Sequence, residues 1–417
     1  MIRRDEIERT LREHRLPGID RDGIVFPSYG DYSICKIPHF IHALFSGPID
    51  RAAAFAPLLP DPLPDRVLFL LLDGLGYLHL RELLAAFPDL FLHRLIEKGT
   101  FIPLTSTFPS TTATALTSYG SGLTPQEHGM LGYQLYLRET STITNMIRLS
   151  LLGTQDDNSA LDAGIDEKTF LPGPSLYEHL HRANVEAHIF LSRHIAGSGL
   201  SRILYDKEDK IHPMVDLADM LVSARQILAR AEGKTFLSLY WGATDAIAHV
   251  RGPQAEAFTA TLRSIDNALE RELAGAVGNT LIIISADHGF MAMEESDYLV
   301  IADYPELEQN LLLPPVGDTR AAYLFVRNGK KAEVKRFITK HFGDTLLCLD
   351  SDRALEAGLF GLGEIKPEVR DRIGDLVVIS TGSEALYHEQ KESSKIKGMH
   401  GGLTPQEMLV PFIISRL

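Results

Sequence analysis

The chain has 417 residues, 45% of them apolar and 23% charged, with mean hydropathy near zero, which is enough material to bury a large core in one large or two moderate domains. A formal charge of −14 excludes a general binder of nucleic-acid backbone, which needs a basic face, but leaves room for a local cationic site such as a bound metal. The two cysteines, Cys35 and Cys348, are far apart and lack CxxC spacing, so neither a disulfide framework nor a thiolate zinc site is expected.

The N-terminus is charged and helix-like, with no apolar segment behind it of the kind a secretory signal carries. No stretch reaches the apolar length of a membrane span. The expectation is a soluble, cytoplasmic protein. Residues 1–65 begin as an amphipathic helix and continue through Pro-rich sequence to Pro60-Asp61-Pro62-Leu63-Pro64, which reads as an appendage packed on the body.

From Val67 onward, short apolar runs alternate with helical stretches such as Asp216 to Glu232 and Glu256 to Ala274. That alternation predicts an α/β fold with a largely parallel sheet covered by helices. Three of the apolar runs lead to an acid. Val67 to Leu72 stops at Asp73-Gly74, Thr235 to Tyr240 leads to Asp245-x-x-x-His249, and Leu281 to Ile284 leads to Asp287-His288-Gly289. Ligands bind outside the carboxyl ends of parallel strands, where all three acids would fall.

Between the first and second of these acids lies the hydroxyl-rich strip Thr105 to Gly122, in which Pro109 and the hydroxyls after it signal a helix start. Such a hydroxyl would sit in the positive field of the first turn and face the acids. Ser and Thr are also the ordinary N-cap residues, so the strip alone is ambiguous. Asp245 and His249, four apart, share one helix face. Each acidic pair taken singly is also what a helix cap or surface ion pair would show. Together with His400 in Lys397-Gly398-Met399-His400-Gly401 they make six carboxylate and imidazole donors, a set suited to zinc, manganese or iron.

Residues 291–395 separate the last acid from His400 and hold strand-like runs at Ala321 to Val326 and Leu376 to Ser380, so they read as an inserted cap subdomain. The core would then be 66–290 with 396–417. Leu123-Thr124-Pro125-Gln126-Glu127 is echoed in Leu403-Thr404-Pro405-Gln406-Glu407, without any periodic repeat.

Taken in order, Leu72-Asp73-Gly74, Gly122 to Gly129, Asp245-x-x-x-His249, Ala286-Asp287-His288-Gly289 and Gly398-Met399-His400-Gly401 resemble the alkaline phosphatase superfamily, most closely its type I phosphodiesterase and nucleotide pyrophosphatase branch. Arg372-Ile373-Gly374-Asp375 also looks like this branch. The resemblance runs from about Val67 to Phe412. It implies an alkaline-phosphatase-like three-layer sandwich with an inserted cap, and a pair of divalent ions, usually zinc, with manganese as the alternative. One ion would be held by Asp73, Asp287, His288 and the nucleophile oxygen, the other by Asp245, His249 and His400.

The resemblance further implies cleavage of a phosphate diester or phosphoanhydride through a covalent phospho-threonine. Counting ten residues back from Gly122 gives Thr112 as nucleophile, with Thr111 and then Thr107 behind it; Thr107 directly precedes Phe108-Pro109, as in many branch members. Ungapped counting places Tyr133 where nucleotide pyrophosphatases carry a substrate-binding Asn, so nucleotide specificity does not transfer. His128, in the His-Gly motif, reads as structural. The expected partner is a small-molecule phosphate ester, with no nucleic-acid polymer and no membrane. Phosphomonoesterase, phosphonate hydrolase and a non-catalytic binding member remain as rival expectations.

Overall fold

A computed structural model describes residues 4–47, 50–154, 156–205, 208 and 210–389, together with 396–417. The last six residues of the stretch expected as a cap, 390–395, and the first three of the appendage lie outside the described residues.

The central sheet has seven strands, in the order Thr100–Thr105, Leu409–Arg416, Thr280–Ser285, Arg66–Leu72, Thr235–Trp241, Glu186–Ser192 and Ile211–Met214. Strand 66–72 pairs in parallel with both 235–241 and 280–285, and its last six residues are all buried, as an interior strand covered on both faces requires. The last strand, 409–416, runs antiparallel between 100–105 and 280–285. Leu72 lies beside Trp241 and Leu71 beside Ser285, so three strands end level at one edge.

The predicted helices form at Leu217–Arg230 and Glu256–Leu273. Asp216 caps the first by accepting a hydrogen bond from the Asp219 amide at 2.8 Å. Helices 217–230, 243–251 and 256–273 make one packed group, and 37–46, 112–121 and 176–182 another. The sheet and these helices form an α/β sandwich. The N-terminal helix Arg4–Glu13 buries Ile7 and Leu11 and reaches the body through Glu8, which accepts from the Tyr77 hydroxyl at 3.1 Å and pairs with Arg81 at 2.7 Å. Among the described residues no helix is long and apolar enough to cross a membrane.

A second sheet of seven strands runs Leu346–Asp350, Leu376–Ser380, Ala321–Leu324, Val316–Asp318, Gln134–Leu137, Thr142–Asn145, Ser150–Leu151. Its strands come from two distant parts of the chain, joined at Gly317 and Gln134. This juncture brings Tyr133 and Asp318 beside the edge where the acids emerge. Arg320 and Glu407 secure the sheet to the core. Both are wholly buried, bonded at 2.6 and 2.8 Å, and the remaining guanidinium donors bind the carbonyls of Gly382, Ser383 and Glu384 at 2.7 Å.

The echoed pentapeptides share a local cause. Thr124 and Glu127, and again Thr404 and Glu407, form reciprocal capping boxes at the starts of two four-residue helices.

Candidate metal centre and active site

Asp73 leaves strand 66–72 at a turn completed by Gly74, whose φ is 73°. A side chain at Gly74 would strike the Phe290 ring and the Asp245 backbone, so the turn needs glycine twice over, for conformation and for close approach. The Gly74 amide donates to Asp287 Oδ1 at 3.0 Å, as does the His288 amide, which fixes that carboxylate at the end of its own strand. Asp245 sits in the first turn of helix Ala243–Arg251, one turn before His249. The short strand Gly398–Met399, antiparallel to Met291–Ala292, and the Ser110–Gly401 bridge after it place His400, from the far end of the sequence, at the centre.

These six residues converge. Asp245 Oδ1 lies 3.4 Å from His249 Nε2 and 3.7 Å from His400 Nε2. His288 Nε2 lies 3.5 Å from both Asp73 Oδ1 and Asp287 Oδ2, and 3.2 Å from Thr112 Oγ1. Ligand atoms of Asp73, Asp287 and His288 fall within 4.8 Å of one another, as do those of Asp245, His288 and His400.

The imidazoles are oriented alike. The Nδ1 of His249 meets the Gly398 carbonyl at 2.8 Å, that of His400 the Ser110 carbonyl at 3.0 Å, and that of His288 the Gly289 carbonyl at 3.1 Å. A carbonyl only accepts, so each Nδ1 carries the proton and each Nε2 of a neutral ring turns a lone pair inward. Opposite them stand Asp73 Oδ1, Asp245 Oδ1 and Asp287 Oδ2, buried oxygens that have no hydrogen-bond partner. Acceptors facing acceptors in a buried site need a cation between them. Burial pushes the Asp73 carboxyl well above the usual carboxylate range, with Asp287 and Asp245 adding repulsion. Burial holds His400 well below the usual imidazole value, and His288 and His249 add to the effect. At His249 burial works in the opposite sense to the Asp245 carboxylate, and the net direction is upward. The donor set of carboxylate oxygens and imidazole nitrogens fits divalent metal, with Asp73, Asp287 and the three imidazoles each held by a second partner.

The three candidate hydroxyls part company here. Thr112 opens helix Thr112–Ser121, beside His288. Thr111, at the N-cap, points its hydroxyl to Asp318 Oδ1 at 3.4 Å. Thr107 is fully buried and donates to the Pro109 carbonyl at 2.9 Å. Tyr133 is 40% exposed, and its amide donates to Asp318 Oδ2 at 3.1 Å. Thr112, Asp245, His249 and His400 border one cavity of about 820 Å³ with Tyr133 and Asp318. His128 lies away from it and is spent on structure: Nδ1 accepts from the Met130 amide at 3.0 Å, leaving Nε2–H for Ser118 Oγ at 3.0 Å. Burial, then Lys366 and Arg372, lowers its pKa to about 3, so the ring stays neutral.

Two residues near the centre carry no sequence signal. Tyr240, hidden in an apolar strand run, donates its hydroxyl to Asp73 Oδ2. Asp318 ends a short strand of the second sheet, and burial raises its pKa to about 7.

The family model for type I phosphodiesterase / nucleotide pyrophosphatase matches residues 67–403. No curated protein matches. Among solved structures, murine ectonucleotide pyrophosphatase/phosphodiesterase 5 is similar, with TM-score 0.64 and 16% identity over 84% of this chain and 88% of that one. Phosphonoacetate hydrolase from Sinorhizobium meliloti 1021, in complex with phosphonoformate, is similar at TM-score 0.63 and 18% identity, over 85% and 90%. At such identities the structural likenesses speak to the fold alone. The family match spans most of the sequence and includes all five motifs from Asp73 to His400, so the chain belongs to the type I phosphodiesterase / nucleotide pyrophosphatase family of hydrolases.

Proposed function

We propose that this protein hydrolyses small-molecule phosphodiesters or phosphoanhydrides, with Thr112 as the nucleophile and two divalent cations, zinc before manganese, at the centre. The observation that carries the reading is the trio of partnerless carboxylate oxygens facing three inward imidazole nitrogens beside the Thr112 hydroxyl. Asp73, Asp287, His288 and Thr112 would hold one ion, and Asp245, His249 and His400 the other. Bound there, divalent cations supply the positive charge that lowers the proton affinity of a hydroxyl and stabilises charge on phosphoryl oxygens.

The side chains account for the rest. The backbone carbonyls of Gly398, Ser110 and Gly289 fix the imidazole tautomers, and Tyr240 orients Asp73. Thr112 Oγ attacks phosphorus as the bond to the leaving oxygen breaks, giving a threonine-linked phosphoryl group that keeps the second substituent of a diester, and the hydroxyl proton ends on the departing alcohol. Water then cleaves the new Thr–phosphorus ester and restores the hydroxyl. An inactive variant of the murine structural neighbour is described in complex with AMP, and the bacterial one in complex with phosphonoacetate, which supports small phosphorus compounds as ligands here. The second neighbour also makes phosphonate hydrolysis the reading to test beside this one.

The test is turnover of bis-p-nitrophenyl phosphate, p-nitrophenyl phosphate and phosphonoacetate by zinc-loaded protein, with a chelated control. Faster, chelator-sensitive cleavage of the diester is expected. Preference for the monoester or for phosphonoacetate would move the protein to that chemistry. No turnover of any of the three would overturn the hydrolytic reading.

A further inference from the structure

The centre occupies only part of its cavity. At about 820 Å³ the space falls within the range of roughly 300–1,000 Å³ typical of sites for whole organic ligands, far beyond what one phosphoryl group fills. Much of the remaining lining is apolar. The hairpin region of the second sheet contributes Ile143, Ile147 and Leu152, and the approach to strand 316–318 contributes Pro314 and Pro315. Leu152 is 61% exposed, so apolar surface there stands in water until something covers it. Among the described lining residues outside the centre, the carboxylates are Asp318 and Glu389, and the one imidazole, His388, is engaged by Glu308 at 3.4 Å.

These features select among phosphate esters. A phosphomonoester dianion or a polyphosphate brings extra negative charge that calls for guanidinium or ammonium partners. Acidic neighbours oppose it. A diester carries one negative charge, taken up at the centre, and leaves a second substituent to be accommodated. Apolar walls favour an uncharged hydrocarbon substituent, because burying it removes apolar area from water on both sides.

We propose that the natural substrate is a phosphodiester whose retained arm is an uncharged alkyl or aryl chain lying against Ile143, Ile147 and Leu152, and not a nucleoside polyphosphate. This rests on the phosphodiesterase reading for the reaction, but the arm site can be measured without turnover.

Zinc-supplemented Thr112→Ala protein is titrated calorimetrically with a series of O-alkyl methylphosphonate monoanions, from methyl to hexyl, and with AMP. Full burial of a methylene corresponds to roughly a fourfold gain in affinity. The hexyl compound should therefore bind at least about thirtyfold more tightly than the methyl compound, and more tightly than AMP. Leu152→Asp, at an exposed position that tolerates charge, should reduce the hexyl-to-methyl ratio about tenfold. In parallel, wild-type protein is assayed with p-nitrophenyl hexyl phosphate, p-nitrophenyl methyl phosphate and the p-nitrophenyl ester of thymidine 5′-monophosphate. A flat chain-length series, or AMP as the tightest ligand, would overturn the arm site, whatever the turnover. A steep series with no ester cleaved would leave the arm site standing and defeat the hydrolytic reading instead.

Discussion

The imidazoles of His288 and His400 lie face to face, their centroids 3.6 Å apart and their planes 16° from parallel, although 112 positions of sequence separate them. Two protonated rings would not share that arrangement, and each already gives its Nδ1 proton to a backbone carbonyl. The pair is therefore poised to present two neutral Nε2 atoms to cations. His400→Ala and Asp245→Asn should each lower metal content from two toward one per chain and reduce diester turnover by more than about 100-fold, since removing a ligand should exceed the roughly 10–100-fold cost of losing a residue that supports one. Elemental analysis of the purified variants checks this; two ions retained in both would refute the ligand assignment.

Thr112→Ala should leave metal content near that of the wild type, because three side-chain ligands remain on its side of the centre. Turnover should drop by roughly 10³-fold or more, the scale of losing a covalent nucleophile. If activity survives, Thr111→Ala becomes the informative variant, since Thr111 is the next hydroxyl along and already faces the cavity through Asp318.

Asp318 predicts a pH effect. Burial raises its pKa to about 7, so the carboxyl is mostly neutral below that pH and anionic above it. An anionic ester then meets one more negative charge as the pH rises through 7. kcat/KM should fall on the alkaline side with the slope of a single proton, and Asp318→Asn should flatten that fall. A pH profile of the two proteins decides it; an unchanged alkaline limb in the variant would assign the fall to another group.

Arg320→Met removes one partner of a pair that is 0% exposed on both sides. An unpaired buried charge costs about 3–5 kcal/mol. Glu407 retains donors from the Gly402 amide at 2.8 Å and the Thr404 hydroxyl, so the lower end of that range is expected. Replacing both as Arg320→Met with Glu407→Gln should recover part of the loss. Denaturant unfolding measures both proteins, and equal losses in the single and double variants would show that the cost is packing and not charge.

The strand-end acids were legible because their signal is local: an apolar run buried on both faces, then a carboxylate at the crevice. Asp73, Asp245 and Asp287 each needed only a few neighbours to be read. Thr112 was harder, since Thr107, Thr111 and Thr112 are equivalent as residues and differ only in what their hydroxyls meet. Asp318 and Tyr240 were illegible. Asp318 reaches the cavity through a pairing of strands almost two hundred positions apart, which no local pattern encodes. Tyr240 ends an apolar strand run in which its phenol reads as packing. Of the second sheet, the runs at 321–326 and 376–380 were legible as strands, whereas the short strands 134–137, 142–145 and 150–151 were not, because they acquire partners only in three dimensions.

Strand 409–416 sits between 100–105 and 280–285, not at a margin of the sheet. During synthesis a nascent chain that stops short of it leaves the mostly apolar strands 100–105 and 280–285 with unpaired facing edges, and one that stops before residue 407 also lacks the counter-ion of Arg320. Ribosome-bound intermediates must therefore wait with an open seam, and His400, a proposed metal ligand, arrives only just before that seam closes. Premature termination anywhere upstream of residue 409 would thus yield an aggregation-prone product rather than a trimmed enzyme.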